Sequence, residues 1–165
     1  RLLHYYMAAE YAEPDLIINM CSSVGEVVYM GRQMLTHVPI LRIDEPMAWQ
    51  AVRRYSRIGA MATLPTTLAP TANLLRKAAA EAGREIEVIE GLAEGAYKAL
   101  RSGSPEKHDE QIISTAESLA DRVDAFVLAQ GSMERSAPVV AEKTGKPVLS
   151  SPGQCIEPVV ELLKG

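Results

Sequence analysis

Cys21 is the side chain best placed to do chemistry. It ends a short apolar run, Asp15-Leu16-Ile17-Ile18-Asn19-Met20, and Ser22-Ser23-Val24-Gly25 and a helical pattern follow at once. A thiol at the tip of a strand, facing a helix start, meets unpaired backbone N–H groups and the positive end of a dipole. Both favour the thiolate, which is the nucleophile and the base. Open parallel sheets bind ligands at this same place. The competing reading is a small buried apolar residue, since free cysteines are often buried.

A second strand tip echoes the first. Asp15 opens an apolar run that reaches Cys21, and Asp124 opens one that reaches Gln130 at the same separation. Serines follow both tips: Ser22 and Ser23 in one case, Ser132 in the other. Farther on, Val38-Pro39-Ile40-Leu41-Arg42 parallels Lys146-Pro147-Val148-Leu149-Ser150. If the two copies face each other, Cys21 and Gln130 approach one cleft from opposite sides. The serines have a second reading as helix caps. Thr67 and Thr71 read as turn and cap residues.

The remaining titratable residues are weaker candidates. His108, beside Asp109, could shuttle protons, but a solvated helix start explains it better. His4 and His37 read as surface or helix-end residues. Asp44-Glu45 reads as a cap with a first-turn acid. Cys155 falls inside the first turns of a helix, away from any strand tip. The two Cys and three His have no zinc-like spacing. Gly25 and Gly31 make no dinucleotide fingerprint, no phosphate loop is present, and no Lys sits at a strand tip. No metal, nucleotide or pyridoxal phosphate is expected, and no cofactor at all.

The elements that must position these residues alternate along the chain. Helices are expected over 1–12, 24–35, 45–56, 70–82, 93–101, 106–122, 134–144 and 153–164. Strands are expected over 15–21, 38–43, 57–63, 85–89, 124–129 and 147–150. Gly83 and Gly145 close two of the helices. This alternation predicts βαβ units and an α/β fold with mostly parallel sheet. The echo predicts two similar flavodoxin-like halves around a shared cleft. The first half spans 1–57 and is joined by the C-terminal helix 153–165; the second spans 58–152. Arg1–Ala12 reads as a helix already under way, so a segment before it, supplying the opening strand of the first half, is expected.

Composition narrows the classes of function. Of 165 residues, 47% are hydrophobic, enough for a real core. The net charge of −4 and the lack of a basic block argue against a nucleic-acid partner, as does the single Phe and single Trp. No apolar run is long enough to span a membrane. Two widely separated cysteines suit a cytoplasmic location rather than a disulfide framework. A homo-oligomer is compatible with a chain of this size.

Four stretches in order, Cys21-Ser22-Ser23, Ala62-Thr63-Leu64-Pro65-Thr66, Leu128-Ala129-Gln130-Gly131-Ser132-Met133 and Pro147-Val148-Leu149-Ser150-Ser151, resemble the aspartate/glutamate/hydantoin racemase superfamily. The resemblance covers nearly the whole chain. It implies two pseudosymmetric α/β domains, a cofactor-independent enzyme and a small carboxylate or amino-acid-derived substrate. It also implies a catalytic thiol at Cys21, with Ser22, Ser23, Thr63, Thr66, Gln130, Gly131 and Ser132 holding the substrate.

The chain departs from the family where the second cysteine would stand, at Gln130. An amide can hydrogen-bond but cannot take or give a proton. Symmetric two-thiol racemisation is therefore in doubt, and a one-thiol racemase or isomerase is the expectation. The alternatives are a non-catalytic carboxylate-binding protein and a decarboxylase or lyase of the same superfamily. A thiol-redox role lacks a nearby resolving Cys.

Overall fold

The computed structural model describes residues 1–164. Among the described residues, fourteen α-helices and strands follow in the order α1 (Leu2–Glu10), β1 (Ile17–Asn19), α2 (Val27–Met34), β2 (Ile40–Arg42), α3 (Glu45–Arg54), β3 (Arg57–Ala62), α4 (Pro65–Glu81), β4 (Glu87–Leu92), α5 (Ala96–Arg101), α6 (Pro105–Leu119), β5 (Ala125–Leu128), α7 (Ala137–Thr144), β6 (Val148–Ser150) and α8 (Ser151–Leu162), alternating except where α6 directly follows α5. The expected α/β fold with parallel sheets is present.

The strands form two sheets. β1 and β2 pair in parallel, with Ile17 opposite Ile40 and Asn19 opposite Arg42. The other four strands are all parallel, in the order β4-β3-β5-β6. In this second sheet the chain first moves outward from β3 to β4, then crosses back to add β5 and β6 on the other side. The reversal puts a topological switch point between β3 and β5, and the crevice beyond their C-terminal ends is where such sheets accept ligands.

Both faces of the second sheet are covered, which is why β3 and β5 read as continuous apolar runs. Ile58, Ala60, Ala62, Ala125 and Val127 point to one face, where Met47, Ala51 and Val52 of α3 and Leu74, Leu75 and Ala78 of α4 meet them. Met61, Phe126 and Leu128 point to the other, against Ile112 and Ala116 of α6 and Val140 of α7. Helix α8 packs Cys155 against Leu41 and Ile43, beside the first sheet. Helix α8 also contacts β6, so it touches both sheets, whereas α1 packs on β1 and α2.

Several expected boundaries move. Helix α4 begins at Pro65, not at residue 70, so Pro70 lies inside it. A proline in the first turn fits a helix start because its missing N–H is unpaired there anyway. Pro70 leaves the Thr66 carbonyl without its helical donor, and Thr66 is solvent-exposed. The strand expected at 85–89 runs over Glu87–Leu92. Asp44 does not cap α3. Its carboxylate instead takes two hydrogen bonds from Arg42, at 2.5 and 3.1 Å, and both side chains are buried. Gly25 lies against the Arg42 guanidinium, where a Cβ would collide with it.

His108 corrects a second expectation. It is fully buried on α6, not solvated at a helix start. Its Nδ1 lies 2.9 Å from Asp109 Oδ1, and the same oxygen accepts the Ser136 hydroxyl at 2.8 Å.

Candidate active site

Cys21 and Gln130 occupy matching places. Each is extended (φ −117° and −131°) and each is the residue before a short 3-10 turn, Ser22–Val24 and Gly131–Ser136. The thiol tip therefore faces a single 3-10 turn; helix α2 starts only at Val27. Cys21 is exposed. Its backbone N–H donates to Asn19 Oδ1 at 3.2 Å, while Asn19 Nδ2 donates to the Tyr6 hydroxyl. Asn19 thus fixes the backbone that presents the thiol. A buried amide ending an apolar strand was the available signal, and sequence reading passed over it.

One cavity of about 340 Å³ contains both tips. Met20, Cys21, Ser22 and Ser23 come from the end of β1. Ala129, Gln130, Gly131 and Ser132 come from the end of β5. Ile43, Leu64, Thr67, Ser151 and Pro152 complete the lining. The cavity lies beyond the C-terminal ends of β3 and β5, at the switch point of the second sheet.

Its electrostatics come from the backbone. None of the described lining residues carries a formal charge. Two α-helices begin at the cavity wall, α4 after Leu64 and α8 after Ser150. Their unpaired first-turn N–H groups and dipoles favour an anion there. The expected helix starts after Cys21 and Gln130 are 3-10 turns; the full helices that supply this field follow β3 and β6.

The serines are not caps. Ser22 is buried and its hydroxyl donates to the Ala129 carbonyl at 3.1 Å. Ser23 and Thr67 share a hydrogen bond of 3.1 Å between their hydroxyls. Each bond joins the Cys21 segment to the second sheet's side of the cleft. The Ser22 proton is committed to Ala129, so this hydroxyl can offer a ligand only its lone pairs.

Gln130 is oriented by Thr63. The Thr63 N–H and hydroxyl both donate to Gln130 Oε1, at 2.7 and 3.0 Å. A backbone N–H can meet only the amide oxygen, so the NH₂ group of Gln130 is left as its free donor. Thr63 is buried behind Gln130 and does not line the cavity. Thr66 is exposed on the first turn of α4 and lies outside the lining. The neighbouring Thr67, expected to serve a turn, lines it instead. Gly131 and Ser132 line it and are exposed.

Cys155 is buried on α8 and is not among the lining residues. Burial pushes its thiol above the usual cysteine value, and the charge of nearby Asp44 adds to the rise. Among the described residues, no group of three or more His, Cys, Asp and Glu could hold a metal ion, and no helix is long and apolar enough to cross a membrane.

The same architecture occurs in solved structures of low sequence similarity. A glutamate racemase from Bacillus anthracis superposes with a TM-score of 0.76 at 14% identity, covering 97% of this chain and 62% of that one. Allantoin racemase from Klebsiella pneumoniae gives 0.69 at 20% identity, over 99% and 65%. Arylmalonate decarboxylase gives 0.68 at 17% identity, over 99% and 75%. The chain spans less than two thirds of the length of either racemase. No curated protein matches it in sequence. At these identities the structures speak to fold alone; the sequence itself carries the assignment, because a family model described as Asp/Glu/Hydantoin racemase matches residues 1–154, and the chain belongs to that family.

Proposed function

We propose that the protein is a cofactor-independent enzyme of the racemase and isomerase type. It acts at the carbon next to a carboxylate of a small amino-acid derivative or dicarboxylic acid, and Cys21 is its one acid–base thiol. The observation that carries this reading is that the exposed Cys21 and the amide of Gln130 line one cavity. Two similar α/β halves around that cleft, and a cytoplasmic location, are part of the same proposal.

In this reading the Cys21 thiolate takes the α-proton. The C–H electron pair moves into the bond to the carboxylate carbon, and charge builds on the carboxylate oxygens. The N-termini of α4 and α8 face that charge, and the Ser132 hydroxyl and Gln130 NH₂ donate to it. Fixed donors of this kind need no reorganisation when the charge appears. Cys21 then returns a proton to the same face. Gln130 cannot protonate the opposite face, so the step that this chain's own residues support is proton removal and return at one face, the half-reaction that racemases and isomerases share; inversion needs a second proton donor.

The test is hydrogen exchange in heavy water. Small α-amino acids, hydantoins and aryl-substituted acids are incubated with the protein and followed by NMR. Wash-in of deuterium that disappears in Cys21→Ala supports the proposal, and Gln130→Ala should weaken it less. No exchange with any of these, or exchange untouched by Cys21→Ala, refutes it and leaves a binding protein.

A decarboxylase is the second reading, favoured by the same unequal pair. Loss of carbon dioxide from a malonate-type acid leaves an enediolate that needs one proton from one face, and a lone thiol supplies it. Carbon dioxide release, abolished in Cys21→Ala, distinguishes this reading from exchange.

A further inference from the structure

Asn19 ends β1, is buried, and has both ends of its side-chain amide committed. Oδ1 accepts the Cys21 backbone N–H at 3.2 Å, and Nδ2 donates to the Tyr6 hydroxyl at 2.5 Å. The Cys21 N–H can meet only the amide oxygen, so the amide cannot turn over without losing that bond. Its NH₂ group therefore needs an acceptor on the far side, and the Tyr6 hydroxyl is that acceptor. Neither Asn19 nor Tyr6 is among the residues that line the Cys21 cavity.

Tyr6 is itself held in place. It belongs to α1, is buried, and packs with Val28 of α2 and Ile40 of β2. A Cβ on Gly31 of α2 would come within 3.0 Å of its ring, so the ring is seated close against that helix. This packing asks only for a ring at position 6; it does not ask for a hydroxyl. Burial pushes the Tyr6 phenol above the ordinary tyrosine value, the Asn19 bond offsets part of that, and the charge of Cys21 adds to the rise. The phenol therefore stays protonated across neutral pH and serves Asn19 as a fixed, uncharged acceptor.

We propose that Tyr6 is a positioning residue for Cys21 and acts through Asn19. The phenol fixes the amide, and the amide fixes the backbone from which the thiol enters the cavity. Proton transfer depends steeply on where the base sits, so a prop behind the thiol bears on its rate. That consequence rests on the reading of Cys21 as the acid–base thiol; the prop itself is tested on the Cys21 backbone, with no substrate.

Three variants of the whole chain separate positioning from packing. Tyr6→Phe keeps the ring and removes the acceptor. Asn19→Leu keeps a side chain of similar size and removes both bonds. Asn19→Asp keeps one oxygen for the Cys21 N–H, and its other oxygen accepts the Tyr6 O–H, so the second bond is reversed rather than lost. Amide hydrogen exchange by NMR reads the Cys21 N–H, with the amides of β3 as the reference for global opening. In Tyr6→Phe and Asn19→Leu the Cys21 N–H should exchange about tenfold faster relative to that reference, the size of one ordinary hydrogen bond. In Asn19→Asp it should stay near wild type, although burying a charge makes this variant the least stable of the three in urea. A packing role would order the exchange by stability, with Asn19→Asp fastest; that order, or unchanged Cys21 exchange in Tyr6→Phe, overturns the proposal. In the deuterium wash-in assay Tyr6→Phe should lower kcat and leave KM in place, because the cavity lining is untouched; an unchanged kcat also overturns it. A wild-type chain without wash-in defeats the reaction assigned to Cys21, and the amide exchange then decides the prop by itself.

Discussion

The Ser22 hydroxyl donates to the carbonyl of Ala129, a residue 107 positions away, and this bond ties together the two strand tips that carry Cys21 and Gln130. The distance between the thiol and the amide is thus held next to both. Ser23 and Thr67 make a second tie across the same cleft.

Ser22→Ala removes the donor and leaves the Ala129 carbonyl buried without a partner. The loss should be about 1–3 kcal/mol of stability, the range for an orphaned buried group. Urea unfolding checks this: the midpoint falls while the slope is unchanged. An unchanged midpoint would mean that water or another group replaces the hydroxyl.

The two cysteines should differ sharply toward an alkylating reagent. Cys21 is exposed, whereas Cys155 is buried and its thiol is pushed up by that burial and by Asp44. A raised value means less thiolate at a given pH, and thiolate is the reactive form. Iodoacetamide under native conditions should label Cys21 first, and unfolding should bring Cys155 to a similar rate. Peptide mapping by mass spectrometry reads the outcome; equal native rates would contradict the described placement.

Arg42 and Asp44 form a buried pair, 1% and 0% exposed. Burial acts to lower the Arg42 value, yet hydrogen bonding and the charge of Asp44 outweigh it, and the guanidinium is held above its ordinary range. Asp44→Asn leaves that cation uncompensated and should cost about 3–5 kcal/mol, as when one partner of a buried pair is removed. Thermal unfolding would show a large drop in midpoint. Gly25→Ala should also destabilise, because its Cβ would press on the same guanidinium.

Asp124 gives a pH-dependent contribution. Hydrogen bonds from the Arg57 guanidinium and backbone N–H hold its carboxyl below the ordinary value of 3.8. A group depressed in the folded state stabilises above its unfolded value, and that contribution fades as pH falls through the folded value. Asp124→Asn should therefore lower stability at neutral pH and narrow the gap from wild type under strong acid. Urea midpoints above and below the ordinary value provide the measurement; a constant gap across that range would remove Asp124 from the acid response.

Local sequence determined the order of elements and the parallel α/β class, because hydrophobic period and glycine stops are short-range signals. It also placed Cys21 and Gln130 at strand tips, since an apolar run ending in small polar residues marks the end of a buried strand. Only the tertiary structure decided what those tips meet. The choice between Thr66 and Thr67 follows from helix phase: neighbouring residues on a helix point about 100° apart, and α4 starts at Pro65, not at residue 70. Asp44 left its capping role because an Arg buried on β2 needed an anion, and nothing within one turn of sequence signals that need. His108 looked like a solvated helix start until α6 was laid against the second sheet. The Ser22–Ala129 bond spans most of the chain, and long-range hydrogen bonds between ordinary polar residues leave no local trace.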